Sequence, residues 1–258
     1  MEFKKNDVCR VTIEDIGTDG EGIGKIDGFT LFIKDAILGD EVEAKIMKAK
    51  KSYAYAKLEK VLTPSPFRVE PKCPVCRPCG GCQMQNLSYE KQLEFKTKKV
   101  RDCFERVGGF KDLKINNTLG MKEPWNYRNK AQFPIGLDKE GKPVAGFYAG
   151  RTHSVIPTSA CAIQFKGHDV ILAKVLEYIE RSGEKVYDES SHSGVVRHVL
   201  MRKGEATGEI MVVLIINGKK LRDEALFVEL LKDNGVAVST VVMTVVVLIF
   251  GEVCPKSI

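Results

Sequence analysis

Four cysteines within ten residues constrain this chain more than any other feature. They stand in "CPVCRPCGGCQ" as Cys73, Cys76, Cys79 and Cys82, each three residues from the next. The N-terminus "MEFKKNDVCR" has no apolar run after its charges, so no secretory leader is expected and the chain reads as cytoplasmic. In that compartment thiols stay reduced, and a clustered set points to metal or redox chemistry rather than to a disulfide framework. One iron–sulfur cubane would take three local cysteines and one from elsewhere, because no second cysteine run is present to make a two-cluster ferredoxin. Gly80 and Gly81 should permit the tight path that turns Cys79 and Cys82 toward one cluster. The remote ligand would be Cys161, in "TSACAIQ", ahead of Cys9 and Cys254. Zinc held by two C-x2-C pairs is the alternative, with only Arg77 and Pro78 between the pairs. Spacing alone leaves both occupants open.

The segments around the cluster predict a multidomain α+β chain. Residues 8 to 62 alternate between apolar and polar positions, as in Cys9, Val11 and Ile13 or Val42, Ala44 and Ile46, and glycine turns separate the runs. That pattern predicts a small OB-like β-barrel over 1–62. Gly17, Gly20, Gly22 and Gly24 are turn glycines here, since no helix follows them to make a dinucleotide site. A proline-rich stretch leads into a cysteine segment and a basic helix, together 63–110. Ser88 is expected to cap that helix and Gly108 and Gly109 to end it, with Tyr89, Leu93, Val100, Phe104 and Val107 on its inner face. Cys103 is expected in the core beside them.

Residues 111–243 predict an antiparallel α+β central domain. A helix over 168–181 should turn Val170, Leu172, Val175, Leu176 and Ile179 inward, and two strands should flank "KGEATG" ahead of a helix at about 220–233. The final 244–258 is divergent, and "VAVSTVVMTVVVLIF" is too short for a membrane span and too long for one buried strand. No membrane partner is expected, and a monomer is.

Charge points toward a polyanion. Residues 63–160 carry 17 basic and 9 acidic side chains, whereas 1–62 carry 11 and 12. Within the first block, "KIMKAKKSYAYAKLEK" still concentrates six lysines against Glu59. Lys48, Lys50, Lys51, Tyr53 and Tyr55 fit a surface where bases stack and lysines meet phosphates. Trp125, Tyr127, Arg128 and Lys130 form a second aromatic and basic group, and Arg151 and Arg197 are further phosphate candidates. The four histidines show no ligand spacing.

"CPVCRPCGGCQMQNLSYEKQLEFK" resembles the iron–sulfur motif C-x5-C-G-G-C-x-x-Q of the RNA (uracil-5-)-methyltransferase family, whose members modify 23S ribosomal RNA or transfer RNA. The 1–62 barrel resembles the TRAM domain that precedes this motif. "YRNKAQFPIG", "GFYAGRTHSVIP", "CAIQ" and "RHVLMRKGEATGEIMVVL" are similar to the family's central domain, in the right order. The resemblance implies an RNA partner and a structural 4Fe–4S cluster on Cys73, Cys79, Cys82 and Cys161, with Cys76 in the spacer. It also implies a Rossmann-like domain that binds S-adenosylmethionine and uses a cysteine nucleophile and a glutamate base. No glycine-rich loop follows a strand after 182, and Cys254 lacks a nucleophile's surroundings, so no catalytic residue is assigned. The expectation is a chain truncated before its catalytic domain, inactive alone. The alternative is a stand-alone RNA-binding iron–sulfur or zinc protein.

Overall fold

Period-2 burial runs through the first sixty residues of the computed structural model, which describes residues 3–150, 152–158 and 160–232. Strands β1 (Val8–Ile16), β2 (Gly22–Ile26), β3 (Phe29–Lys34), β4 (Glu41–Ala49) and β5 (Tyr53–Thr63) close into a barrel in the order β1-β2-β3-β5-β4. The pairings are antiparallel except for β3 with β5. Leu31, Ile33, Val42, Ala44, Ile46 and Ala54 fill the interior and are sealed from solvent. The alternation read from the sequence puts these residues inside, and closure leaves no free edge.

A charged pair fastens the barrel to the linker that leaves it. Asp40 is wholly buried, and its carboxylate accepts from the Ile37 and Ser65 amides at 2.9 and 3.0 Å. Arg68 also donates to it, Nε at 3.0 Å and Nη2 in a second, short contact, while the same Nη2 reaches the Asp35 carbonyl at 2.9 Å. No spacing pattern announces this pair, because its members lie 28 residues apart.

After the linker come the cysteine loop, helix α1 (Tyr89–Asp102) and a π-helical turn, Cys103–Val107. The chain divides into two units, Met1–Asn126 with Tyr148–His153, and Tyr127–Phe147 with Ser154–Ile258. Ser88 sits at the N-cap of α1 but makes no side-chain capping bond. The predicted inner face of this helix is only half used. Thr118–Met121 runs along the Tyr89 and Leu93 end, with the Thr118 amide on Thr97 Oγ1 at 2.9 Å and the Met121 amide on Tyr89 Oη at 2.8 Å. Val100, Phe104 and Val107 stay exposed, and Cys103 is exposed with them rather than in a core.

The second unit is a five-stranded sheet in the order β10-β9-β6-β7-β8, from β6 (Lys130–Leu137), β7 (Pro143–Tyr148), β8 (Val155–Pro157), β9 (Val196–Lys203) and β10 (Ile210–Ile216). Helices α2 (His168–Ser182) and α3 (Glu224–Lys232) share its core with Phe133, Val196, Val199 and Met201. In α2 the inward residues include Ile171, Leu172, Val175, Tyr178 and Ile179. Val170, expected inward, is exposed: it falls one position off the stripe that Ile171 and Tyr178 complete. The paired strands around "KGEATG" are β9 and β10, in antiparallel register. The fold is thus a mixed α+β one, a closed barrel joined to a second sheet and three helices. No described helix is long and apolar enough to cross a membrane. Segment 236–250 lies outside the described residues.

Candidate nucleic-acid interface and cysteine loop

Strand register decides what the barrel shows on its outer face. Thr30, Phe32 and Lys34 of β3 lie beside Tyr53, Tyr55 and Lys57 of β5, and β4 sets Lys48 beside Tyr55 and Lys45 beside Lys57. Phe32, Tyr53 and Tyr55 therefore meet, each pair of ring centroids 5.7 Å apart, with Tyr53 edge-on to both others. Tyr55 is 46% exposed, far more than a core tyrosine. At one end of this aromatic group lies the row Lys34, Lys57 and Lys45; at the other stand Lys48, Lys50 and Lys51, all exposed. Lysines directly opposite one another across strands repel; Glu59 answers Lys57 at 3.3 Å, and Lys34 and Lys45 stand on either side of Lys57.

The barrel is nearly neutral in sum, yet this face gathers cations while acidic residues such as Asp19, Glu21 and Asp27 sit on the β1–β2 and β2–β3 turns. Sequence spacing found Lys48, Lys50, Lys51, Tyr53 and Tyr55. It missed Phe32 and Lys34, which only the parallel β3–β5 pairing brings to the same place, and Lys45, which the antiparallel β4–β5 pairing sets beside Lys57.

The second aromatic and basic group is divided between the two units. Trp125 belongs to the first unit, where the Lys72 ammonium stands 5.0 Å from its ring. Tyr127, Arg128 and Lys130 belong to the second. Tyr127 is exposed, and the Arg128 amide bonds the Ile163 carbonyl at 2.9 Å. Lys130 opposes Arg202 of β9, a cation that spacing did not reveal. Arg197 lies 4.4 Å over the Tyr187 ring and pairs with Glu189 at 2.7 Å, so its charge is answered locally. Arg151 lies outside the described residues.

In the cysteine loop, Cys73 and Cys79 are buried and Cys76 and Cys82 are half-buried, all as free thiols. Burial pushes the Cys73 thiol up, a bond from the Val75 amide pulls it down, and repulsion from Cys79 and Cys82 raises it again. Burial likewise raises Cys76, with Cys73 as its leading neighbour. Gln85 Oε1 accepts from the Cys73 amide at 3.1 Å, and the Gly81 amide donates to Cys79 Sγ at 3.4 Å. Such N–H···S bonds are a way proteins tune ligating sulfurs. Gly80 and Gly81 do not take left-handed backbone conformations. What Gly80 supplies is closeness: a Cβ there would lie 3.3 Å from the Tyr148 carbonyl, which the Gly80 amide itself approaches to 3.3 Å.

Cys161 is buried in the second unit, its amide donating to His168 Nε2 at 3.3 Å. The opposite ring nitrogen, Nδ1, then donates to the Phe165 carbonyl at 2.9 Å. The chemistry of the local donors suits soft-metal ligation: four thiols in one short loop, with amides aimed at the Cys73 and Cys79 sulfurs. Among the described residues, however, no three His, Cys, Asp or Glu side chains are grouped as a metal site.

A separate cleft of about 450 Å³ between the end of β1 and α1 is lined by Lys91, Lys98 and Arg101 but equally by Asp15, Glu94 and Asp102. Its charges cancel, and it favours neither anion nor cation.

With the outer face of the barrel in view, its relatives become informative. Residues 2–58 match the TRAM domain. Over 225 residues the chain is 46% identical to an uncharacterized RNA methyltransferase of Halalkalibacterium halodurans, covering 87% of this chain and 49% of that protein. It is 47% identical over 221 residues to an uncharacterized RNA methyltransferase of Clostridium tetani, covering 86% and 48%. Among solved structures, the Pyrococcus abyssi tRNA (uracil-54, C5)-methyltransferase in complex with S-adenosyl-L-homocysteine superposes with a TM-score of 0.62 over 84% of this chain and 48% of that one. At 24% identity that likeness is one of fold.

Over most of its length the chain is similar to proteins described as uncharacterized RNA methyltransferases, and it spans about half the length of the curated relatives it matches. The expectation of a chain truncated before its catalytic domain is withdrawn on this coverage. The matched span is shared with proteins of about twice that extent and says nothing of what precedes or follows it.

Proposed function

We propose that this chain serves RNA methylation, binding RNA through the β3–β5–β4 face of its TRAM barrel. The activity proposed for the whole protein is transfer of a methyl group from S-adenosylmethionine to a uridine of ribosomal or transfer RNA. The observation that carries this reading is the three-ring group of Phe32, Tyr53 and Tyr55 with lysine rows on both sides. Unpaired bases stack on such rings at about 1–3 kcal/mol each, and lysines answer the phosphates at a cost in counterions that makes affinity fall with salt.

Fluorescence anisotropy with a labelled uridine-containing RNA tests it. Tyr55→Ala should weaken binding about tenfold. Replacing Lys48, Lys50 and Lys51 by Gln should lower the salt dependence by about three phosphate contacts. Unchanged affinity and unchanged salt slope in both would remove the barrel face from the proposal.

Cys73, Cys79, Cys82 and Cys161 are proposed as thiolate ligands of a 4Fe–4S cluster. What supports this is the effect of Cys79 and Cys82 on the Cys73 thiol and the amides directed at the Cys73 and Cys79 sulfurs. When bound, the cluster would supply iron–thiolate cross-links, a structural role. Anaerobic purification followed by iron analysis distinguishes the residues. Cys76→Ser should retain iron and Cys161→Ser should lose it; the opposite pattern would overturn the ligand set, and stoichiometric zinc without iron would replace the cluster.

A further inference from the structure

Helix α1 ends in a surface that no buried contact explains. Apolar residues continue through Val100 of the helix into Phe104 and Val107 of the π-helical turn, yet Thr118–Met121 runs along only the other end of the helix. Val107 is 87% exposed. The π-helical turn then gives way at Gly108, where a Cβ would lie 2.8 Å from both the Phe104 carbonyl and the Phe110 ring. The missing side chain lets the backbone fold back, with the Phe110 amide on the Phe104 carbonyl at 3.1 Å and the two rings edge to face at 6.0 Å. The rings are held together without being buried: Phe104 is 41% and Phe110 54% exposed. π-Helical turns occur often at functional sites.

Charge selects the partner. Residues 96–114 carry seven basic and three acidic side chains. Lys98 is committed to Asp15 and Asp102, and Lys99 donates to the Thr18 carbonyl at 3.1 Å. Arg101 is turned toward Asp102 in the cleft already described, whereas Lys96, Lys111 and Lys114 remain exposed and flank the ring pair in sequence. An apolar protein surface would answer the stripe but not this charge, whereas RNA answers both. Its bases stack on the rings and its phosphates meet the cations.

A duplex keeps its bases stacked inside and cannot use Phe104 and Phe110 in this way, so the rings call for unpaired nucleotides. We infer that the end of α1, the π-helical turn and the 108–114 turn form a second RNA-contact surface, distinct from the barrel face and selective for single-stranded segments. This inference rests on the RNA reading of the chain.

The test uses the full chain and two labelled RNAs, a uridine-rich single strand and a blunt duplex of the same length, in anisotropy titrations at fixed salt. Phe104→Ala with Phe110→Ala, both at exposed positions, should weaken single-strand binding about tenfold and leave duplex binding unchanged. Replacing Lys96, Lys111 and Lys114 by Gln should weaken both RNAs and lower the salt slope. Circular dichroism confirms that each variant is folded. If the parent chain binds neither RNA, the RNA reading itself fails. If the parent binds and Tyr55→Ala weakens it while both sets of α1 variants match the parent, this second surface alone is overturned. Loss of self-association in the phenylalanine variant, with RNA affinity intact, would also overturn it in favour of a protein contact.

Discussion

The barrel and the helix that follows it both carry apolar residues in register and basic residues around them, but they settle those residues in opposite ways. In the barrel every strand has two neighbours, so an inward side chain meets inward side chains from both sides, and Leu31, Ile33 and Val42 have no exposed surface to speak of. In α1 the stripe has one partner segment, which stops before Val100. A closed sheet therefore determines both which face is buried and what buries it. A helix determines only the face. The consequence is that basic residues on the barrel form a platform over a rigid core, whereas those at the end of α1 surround apolar side chains still open to a partner.

The largest test of that contrast is at Asp40. Replacing it with Ala leaves Arg68 and two buried amides without their acceptor, and removal of one partner from a buried ion pair costs about 3–5 kcal/mol. Arg68 is partly exposed, so the lower part of that range is expected. The single tryptophan, Trp125, lies in the first unit, so urea unfolding followed by its fluorescence reports on that unit. A loss under about 1 kcal/mol would show that the pair does not fasten the barrel to its linker. At the other extreme, Val107→Asp should change stability by less than about 0.5 kcal/mol, because nothing covers the side chain. A loss above about 2 kcal/mol there would mean the stripe is buried after all, and would erase the comparison.

The same contrast explains what the sequence discloses. The barrel strands, the β9–β10 hairpin and the buried face of α2 are legible because alternation or a complete helical stripe states the environment of each residue. Tyr53 and Tyr55 are legible as an outward pair on one strand. Phe32 and Lys34 are not, because the parallel β3–β5 pairing brings distant segments together and no local pattern encodes it. Asp40 and Arg68 are illegible for the same reason, and each reads from sequence as an ordinary surface charge. Cys103 errs in the other direction: free cysteine is usually buried, but its helix runs past its covering segment and leaves it outside. For the cysteine loop, spacing and motif nominate ligands, whereas the bond from the Cys73 amide to Gln85 and the close approach at Gly80 are visible only in three dimensions.

A similarly small effect is expected at the tie between the two regions. Lys98 of α1 reaches Asp15 at the end of β1 at 3.0 Å and Asp102, one helical turn on, at 2.7 Å. The Lys98 bond holds the Asp102 carboxyl below the usual carboxylate range, and the bonds to Asp102 and then Asp15 hold the Lys98 ammonium above its ordinary range. A depressed carboxylate contributes stability above its unfolded value and loses it as pH falls through the folded one; a raised ammonium contributes below its unfolded value and loses it as pH rises through the folded one. The tie is therefore at full strength between those two ranges. All three side chains are more than a quarter exposed, so solvent screening limits the contribution to about 0.5 kcal/mol. Lys98→Met keeps the aliphatic stem and removes the charge. Its stability difference from the parent should be constant from about pH 6 to pH 9 and should shrink below about pH 4, as Asp102 protonates. A difference that persists undiminished at about pH 2 would assign the effect of Lys98 to its stem packing between β1 and α1 rather than to its charge.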